Sequence, residues 1–399
     1  MQLKTASGGI ASSNAFFRPA NQGYGTFWGL YPEKKGFRRA VRHVGRFDLH
    51  KRRTACFFAS GNKNLNGMKQ YELGTCLLVL LSVFLTACGD DDDEDLIGKW
   101  YRMSDFDGLA RSDASAFTIG NKGYLVCGYD GKKRLSDLWE YDMQSDFWTQ
   151  KATFPGTARN SAVALAVGSK GYLGTGYDGE NYLKDFWEYD PAANTWTKKA
   201  DFPGSARYAA VAFGVSGKGY IGSGYDGNYL KDFYAFDVAT DRWEQIVSIG
   251  GTKRSGATSF IIDGVPYVCC GQNNGEYVYD FWKYEVSSGL WIQLRDIKNT
   301  SDESYDDDYA IVRTNGVAFV IDGVAYVTSG ESGSLRSDTW KYYPSTDLWE
   351  QVANFKGTAR TATAAFSTGE RGFVVSGKSS TYRFDDIWEL HPNEYDEDD

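Results

Sequence analysis

Short segments in which apolar and polar residues alternate repeat along the chain between residues 98 and 391. Between residues 161 and 200 they read SAVALAV, KGYLGTG, DFWEYD and TWTKKA, and glycine, aspartate and asparagine residues separate them. Alternation over four to eight residues between such turn residues predicts β-strands. Four predicted strands thus fill one stretch of about 48 residues.

This stretch occurs six times. An aromatic residue in the second predicted strand marks each copy, at intervals of 48, 48, 47, 59 and 47 residues: Tyr124, Tyr172, Tyr220, Tyr267, Tyr326 and Phe373. An arginine lies 13 residues before each of them: Arg111, Arg159, Arg207, Arg254, Arg313 and Arg360. Further along each copy there is an aspartate, and another aromatic residue comes two positions after it: Asp137, Asp185, Asp232, Asp280, Asp338 and Asp386. Four strands per repeat of this length predict an all-β fold, a six-bladed β-propeller over residues 98–391.

The sixth copy lacks a fourth strand, and the segment KWYRM at residues 99–103 matches the missing one. We expect this N-terminal strand to complete the last blade, because it would cover the exposed sheet edge of an open ring. Eleven of the twelve tryptophans lie at repeat positions. We expect them to pack one blade against the next.

The end of the second strand carries a family resemblance. A variable residue precedes a constant glycine there, as in Cys127-Gly128, Thr175-Gly176, Ser223-Gly224 and Cys270-Gly271. Together with the aromatic and tryptophan that follow, this pattern resembles the kelch repeat over residues 98–390. The resemblance implies the fold and leaves the activity open. Kelch units also occur in galactose oxidase, whose copper centre uses two histidines with tyrosines, but this chain has only His391 after Cys88. We therefore expect no copper site, no other metal and no cofactor.

Residues 68–87 are typical of an export signal. An apolar run of twelve residues at 76–87 is too short to cross a bilayer core of about 30 Å as a helix, but it fits the apolar region of a signal peptide. The run ends in Leu85-Thr86-Ala87-Cys88, which resembles a bacterial lipobox and implies that Cys88 receives lipid. Met68 is then the start of translation, and residues 1–67 are a mis-called, unstructured upstream extension.

The charge balance changes in the same region. Residues 1–67 contain twelve lysines and arginines against two acidic residues, whereas residues 68–399 contain 31 against 50. The negative balance of the second part argues against a nucleic-acid partner. Residues 88–97 include the acidic run DDDDED, which is either a solvated tether or, by resemblance, a surface-export signal of some Gram-negative lineages. Residues 392–399 are an acidic tail. Both interpretations of the acidic run predict an outer-membrane lipoprotein anchored by lipid, and the export-signal interpretation places it at the cell surface.

The six arginines begin the innermost strands, so we expect them to ring the mouth of the central channel. The mouth is defined as the end that carries the blade-to-blade connections and the loops between second and third strands. Two interpretations of this ring are open. Each arginine pairs with a loop acid such as Asp130, Asp178 or Asp226, or the ring binds an anionic ligand such as a carboxylate sugar.

Positions that break the repeat are further candidates. After the constant glycine, copies one to three have Tyr-Asp, whereas copies four to six have Gln272-Asn273, Glu331-Ser332 and Lys378-Ser379. Three residues before the third-strand aspartate, three copies have a tyrosine of the kind that stacks on sugar rings: Tyr182, Tyr229 and Tyr277. Neutral loop variation is the alternative explanation for both series.

The connection between copies four and five is the longest irregularity. From Trp291 to Arg313 it spans 22 residues, and its acidic residues fall between positions 296 and 308. A calcium site and a solvated acidic loop are the two interpretations, and no EF-hand spacing is present. Three cysteines lie within the propeller, and we expect them to be buried thiols: Cys127, Cys269 and Cys270.

Two functions from different classes fit these features. The first is an exported, lipid-anchored module that binds a glycan or a protein segment at the mouth. The second is an enzyme, by resemblance to the six-bladed kelch sialic-acid mutarotases of the periplasm. Glu331 and a neighbouring arginine would then supply the acid/base group and the anion anchor.

The export prediction can be checked directly. In mass spectrometry of the protein purified from its native cells, we expect Cys88 to be the first residue and to carry lipid. No peptide from residues 1–67 is expected. Detection of any such peptide would show that the extension is translated and that Met68 is not the start.

Overall fold

The computed structural model describes residues 96–298 and 309–395, which fold into six four-stranded antiparallel sheets in chain order. The predictions for residues 1–67, the signal segment 68–87, Cys88 and most of the acidic tether lie outside the described residues. The same holds for residues 299–308 of the acidic connection and for residues 396–399 of the tail. No helix long and apolar enough to cross a membrane occurs within the described ranges.

Each sheet is one blade, and in the first five blades its strands follow one another along the chain. Blade 1 contains Ser115–Ile119, Lys122–Val126, Leu138–Asp142 and Phe147–Lys151. Blade 2 contains Val163–Val167, Lys170–Gly174, Phe186–Asp190 and Thr195–Lys198. Blade 3 contains Val211–Val215, Lys218–Gly222, Phe233–Asp237 and Arg242–Ile246. Blade 4 contains Thr258–Ile262, Val265–Cys269, Trp282–Glu285 and Leu290–Gln293. Blade 5 contains Val317–Ile321, Val324–Thr328, Thr339–Tyr343 and Leu348–Val352.

Blade 6 closes the ring. It contains Ala364–Ser367, Gly372–Val375, Ile387–His391 and, from the other end of the chain, Lys99–Arg102. Lys99 is paired with His391 and Arg102 with Trp388. Trp100 of this strand packs edge-on against Phe355, with ring centroids 5.0 Å apart. The predicted six-bladed all-β architecture and its closure by the N-terminal strand are therefore confirmed.

The loops between second and third strands differ around the ring. In blades 4–6 each forms a short hairpin: Gln272–Asn273 with Glu276–Tyr277, Glu331–Ser332 with Ser334–Leu335, and Lys378–Ser379 with Tyr382–Arg383. In blades 1–3 the equivalent residues form single bridges, at Tyr129 and Arg134, Tyr177 and Tyr182, and Tyr225 and Tyr229. These loops carry most of the candidate binding residues.

Aromatic side chains fill the space between blades. Phe117 of blade 1 stacks on Tyr124, with centroids 4.8 Å apart, and Tyr124 contacts Tyr189 of blade 2. Gly171 of blade 2 lies directly against Phe117, since a Cβ atom there would be 2.2 Å from the ring. The glycine leaves room for this ring. The expected packing of tryptophans between blades is present as well, since Trp243 of blade 3 lies 5.0 Å from Phe186 of blade 2.

Six backbone hydrogen bonds form a closed ring at the mouth end of the innermost strands. The second residue after each arginine has φ between 50° and 62°, and its N–H donates to the carbonyl of the equivalent residue in the preceding blade. In chain order the residues are Asp113, Ser161, Ala209, Gly256, Asn315 and Ala362. The bond from Asp113 to Ala362, at 2.9 Å, closes the ring. The blades are therefore joined by backbone contacts as well as by side chains.

The constant glycine makes a second ring of such bonds. Its N–H donates to the carbonyl of the arginine that begins the next blade, at distances of 2.7–2.9 Å: Gly128, Gly176, Gly224, Gly271, Gly330 and Gly377. Its φ lies between 88° and 105°, which side-chain-bearing residues rarely adopt. A Cβ atom at Gly224 would also be 2.9 Å from the carbonyl oxygen of Tyr208. These two constraints explain why the repeat keeps glycine at this position.

Two glycine substitutions in blade 3 test this explanation. We expect Gly224→Ala to destabilise the fold by about 3 kcal/mol, because the φ angle and the contact with Tyr208 both oppose a Cβ atom. Gly217→Ala serves as the control, since Gly217 also has a positive φ but no atom within 4 Å of the added carbon. We expect it to cost about 1 kcal/mol. Equal losses in urea unfolding would show that the contact is unimportant.

Candidate functional site

The mouth is built from two adjoining sets of residues. The residue after each arginine forms a backbone bridge with the residue after each constant glycine: Ser112 with Tyr129, Asn160 with Tyr177, Tyr208 with Tyr225, Ser255 with Gln272, Thr314 with Glu331, and Thr361 with Lys378. The loops that carry the candidate residues are therefore fixed to the start of the innermost strands.

A channel lined by small side chains runs inward from these loops. A cavity of about 230 Å³ lies between the first halves of the innermost strands, where alanine is the commonest lining residue. A second cavity, of about 620 Å³, lies towards the opposite end, and both are lined by Ala116 and Ala212. The wall of the first cavity carries hydroxyl side chains such as Ser115 and Thr258 among the alanines, but none of the residues that line it is charged, so the charged groups of the mouth lie in its loops.

The arginines are not part of the open mouth. In blade 3, Arg207 donates to both carboxylate oxygens of Asp232, at 2.7 and 2.8 Å, to the carbonyls of Ser205 and Ser223, and to the Ser205 hydroxyl. All five of its N–H groups are thereby used. The Phe202 ring covers the guanidinium group at 4.8 Å. No donor of Arg207 is left for a ligand.

The other five arginines are placed in the same way, and each of the six is at most 1% exposed. Their partners are the third-strand aspartates: Arg111 with Asp137, Arg159 with Asp185, Arg207 with Asp232, Arg254 with Asp280, Arg313 with Asp338, and Arg360 with Asp386. Of the two interpretations left open for the arginine ring, pairing of each arginine with an acid is the one observed, because burial in the low-dielectric interior requires each charge to be paired.

The acids expected to pair with the arginines were also wrongly chosen. Asp130 and Asp178 accept hydrogen bonds from backbone N–H groups of their own turns, at Lys132 and Lys133 and at Glu180 and Asn181. Asp226 does the same with the N–H of Asn228. The correct partners had a signal in the sequence, because each arginine precedes its aspartate by 25 or 26 residues in every copy.

Electrostatics favour the ionised form of several of these aspartates. Burial opposes the charge of Asp185, but the hydrogen bonds and positive charge of Arg159 outweigh it and lower the pKa of Asp185. The same balance lowers the pKa of Asp137 and Asp386. In four blades the tryptophan two residues on also donates its indole N–H to the carboxylate, as Trp187 does to Asp185 at 2.8 Å. Arginine, aspartate and tryptophan thus form one hydrogen-bonded unit.

Five partly buried tyrosines of blades 2 and 3 form a group at the mouth, here named the tyrosine cluster: Tyr177, Tyr182, Tyr208, Tyr225 and Tyr229. Neighbouring rings have centroids 5.1–6.3 Å apart. Two of the predicted stacking residues, Tyr182 and Tyr229, belong to this cluster.

Cationic side chains border the tyrosine cluster. The guanidinium of Arg134 lies 4.9 Å from the ring centre of Tyr177 and 5.1 Å from that of Tyr129. Its Nε donates to Asn160 Oδ1 at 3.0 Å. The guanidinium of Arg383, in blade 6, lies 4.9 Å from the ring centre of the same Tyr129. Unlike the buried arginines, Arg134 and Arg383 are partly exposed.

The third predicted stacking residue lies elsewhere. Tyr277 belongs to the hairpin of blade 4, and its hydroxyl accepts a hydrogen bond from the N–H of Gly333 in blade 5, at 2.7 Å. Within the described residues its ring has no contact with the tyrosine cluster. Gln272 and Asn273 lie on the facing strand of the same hairpin and are partly exposed.

The remaining two candidates lie on blades 5 and 6. Glu331 is partly exposed, and within residues 96–298 and 309–395 its carboxylate forms no ion pair or side-chain hydrogen bond. Lys378 Nζ lies 3.5 Å from the carboxylate of Asp113. Since Arg313 and Arg360 are each bound to an aspartate, neither is free to act with Glu331.

Comparisons with known proteins agree with this geometry. Residues 99–201 match the family model described as the KLHDC2/KLHL20/DRC7 Kelch-repeats domain. The solved structure titled "Structure of YjhT" superposes with a TM-score of 0.60 at 15% identity, and covers 71% of this chain and 95% of that one. The chain is a kelch-type β-propeller. At this identity the likeness to YjhT shows the fold alone, and no curated protein sequence gave a significant match.

The kelch propeller buries all three of its cysteines as free thiols, as predicted: Cys127, Cys269 and Cys270. Burial raises the pKa of the Cys127 thiol to about 12. Cys127 and Cys270 occupy the position before the constant glycine, and both have a positive φ. No group of three or more histidine, cysteine or acidic side chains suited to a metal ion occurs in the part of the propeller that the structure describes.

Sequence reasoning missed several members of the mouth. Tyr208 was not a candidate, although it directly follows Arg207 and so belongs to the same ring of bridges as Tyr225. The signal in the sequence was that blade 3 has a tyrosine at the repeat position where blades 1 and 2 have Ser112 and Asn160. Arg134 lies at the repeat position of Tyr182 and Tyr229, but only the tyrosines of that series were expected to bind. The assembly of five rings could not be derived, because it depends on contacts between loops of two blades.

The buried ion pairs predict how stability depends on pH. A carboxylate whose pKa is lowered on folding stabilises the protein above its unfolded pKa of about 3.9, and this contribution is lost as the pH falls through the folded value. At pH 7 we expect Asp185→Asn to destabilise the fold by about 3 kcal/mol. The difference from the wild type should shrink below pH 4, where Asp185 of the unfolded chain takes up a proton while the folded protein still keeps it ionised.

Asp178→Asn is the matched control, because asparagine can still accept hydrogen bonds in that turn. We expect it to change stability by less than about 1 kcal/mol. Urea unfolding of the three proteins from pH 7 to pH 3 measures these effects. A loss in Asp185→Asn that stays constant over this range would contradict the assignment of the ion pair.

Proposed function

We propose that this protein is an exported, lipid-anchored kelch propeller whose mouth binds a glycan. Support for export comes from the apolar run of residues 76–87 and from the lipobox-like sequence before Cys88. Support for binding at the mouth comes from the tyrosine cluster. The fold alone does not identify a ligand, so the proposal depends on the side chains of the tyrosine cluster.

The tyrosine cluster has the properties that a sugar site requires. Its rings are large apolar surfaces that end in hydroxyl groups, so they stack on the C–H faces of a sugar and exchange hydrogen bonds with its hydroxyls. Ligand sites commonly combine aromatic walls with a few polar groups, and Arg134 and Asn160 provide such groups beside Tyr177. The rings already contact one another, so little side-chain freedom is lost when a ligand binds.

The mutarotase alternative receives less support. It requires a free anion anchor beside Glu331, and its two candidates, Arg313 and Arg360, are buried and bound to Asp338 and Asp386. Glu331 remains an unpaired carboxylate of the kind that acts as an acid or base, but no free arginine of the predicted ring accompanies it. The binding module is therefore the function that the geometry supports best.

A glycan array tests the proposal, with the lipidated protein in detergent and with sialylated and uronic-acid glycans included. We expect selective binding that Tyr182→Ala weakens at least tenfold, because a stacking ring is lost. Glu331→Ala should bind as the wild type does. Unchanged thermal midpoints of both variants would exclude misfolding as the cause.

Other results of this array have distinct meanings. Binding that is lost in Glu331→Ala but kept in Tyr182→Ala would move the site to blade 5 and favour a test of sialic-acid mutarotation. An array without binding would contradict the glycan ligand. The partner would then be sought among proteins, by cross-linking on intact cells.

A further inference from the structure

A separate cavity of about 500 Å³ lies on blade 4, between its mouth hairpin and the chain that follows its outermost strand. We call it the blade-4 pocket. Its walls include Asn273 and Tyr277 from the hairpin, Tyr279 from the segment before the third strand, and Gln293 and Asp296 from the end of the blade. Asn274, Glu276 and Asp280 also line it, so two tyrosine rings, three side-chain amides and three carboxylates border one space.

Within residues 96–298 and 309–395, the carboxylate of Asp296 forms no ion pair. Its Oδ1 atom is buried and has no hydrogen-bond partner within the described residues. Burial and the nearby Asp280 raise the pKa of Asp296. Asp280 also lines the pocket, but it is bound by Arg254 and accepts a hydrogen bond from the N–H of Thr252. Asp280 is therefore neutralised, whereas Asp296 and the exposed Glu276 of the same pocket form no ion pair within the described residues.

A buried polar atom without a partner costs free energy, so such an atom in a cavity needs an explanation. A ligand that carries hydrogen-bond donors and a positive charge would satisfy Asp296. Neither Asn273 nor Gln293 carries charge, and their amide oxygens add acceptors for further donors.

The aromatic walls favour the same kind of ligand. Tyrosine faces attract cations, and the ammonium group of Lys298 already lies 5.5 Å from the ring centre of Tyr279. Tyr279 is 41% exposed, so its ring is open to solvent. Tyr277 is held in place by the hydrogen bond from Gly333 to its hydroxyl. A rigid ring and an unpaired carboxylate therefore stand at the same pocket.

We propose that the blade-4 pocket binds the protonated amine of an amino sugar, with Asp296 as its counter-ion and Tyr277 and Tyr279 as its walls. The ammonium group supplies three donors and the charge, and the sugar ring supplies the apolar face for the tyrosines. This inference rests on the proposed function and deepens it, since it names the sugar class at a second position of the same protein.

Titration calorimetry at pH 7 tests the inference, with the full protein in detergent. The probes are a tetramer of glucosamine and its N-acetylated counterpart, which has no positive charge. We expect the free-amine tetramer to bind at least tenfold more tightly than the acetylated one. Asp296→Asn keeps the shape of the side chain and should remove this preference, whereas Asp322→Asn, an exposed acid in a turn of blade 5, should keep it.

Equal affinity of the two tetramers, or a preference that survives in Asp296→Asn, would overturn the inference. Binding of an oligolysine peptide without binding of the glucosamine tetramer would also overturn it, because the cation would then belong to a protein. If both tetramers bind equally and Tyr182→Ala removes that binding, the glycan function stands and only the blade-4 pocket fails. If neither tetramer binds and the array shows no binding, both proposals fail.

Discussion

The buried pair of arginine and aspartate is the interaction on which the six blades depend. Each arginine lies in the connection that enters a blade, its guanidinium binds the aspartate at the start of that blade's third strand, and its carbonyl accepts the N–H of the constant glycine in the preceding blade. One residue therefore holds together a connection and two blades. Removing one partner would leave a buried charge uncompensated, at a cost of about 3–5 kcal/mol. The repeat keeps both residues because neither is tolerated alone.

Backbone geometry follows from this arrangement. The glycine can approach the arginine carbonyl only with a positive φ and without a Cβ atom, and the residue two positions after the arginine adopts a positive φ to join its neighbours. Together these contacts make two closed rings of hydrogen bonds around the channel. Because the rings and the closing strand Lys99–Arg102 each link the first and last blades, the circle is closed at its centre and at its edge.

The scaffold uses its most conspicuous charges internally, so recognition is left to positions where the copies differ. Blades 2 and 3 place tyrosines at the mouth, whereas blade 4 places amides, tyrosines and an unpaired carboxylate around a cavity. Arg134 and Arg383 share one repeat position, at which the other four copies have tyrosine or leucine, and both are partly exposed because the repeat assigns them no buried aspartate. A propeller of this kind can thus change its ligand through its loops while its blades remain the same.

The six copies, the strand pattern and the closing segment at residues 99–103 were determined by the sequence alone, because each is a local or periodic property. The constant spacing from Arg159 to Asp185 was also visible in the sequence. That the two residues form an ion pair was not, since pairing depends on which groups lose contact with water. Tyr208 and Tyr182 meet only after two loops from different blades are brought together. Whether a charged residue is a ligand anchor or a structural partner is decided by burial, and burial is a property of the assembled ring.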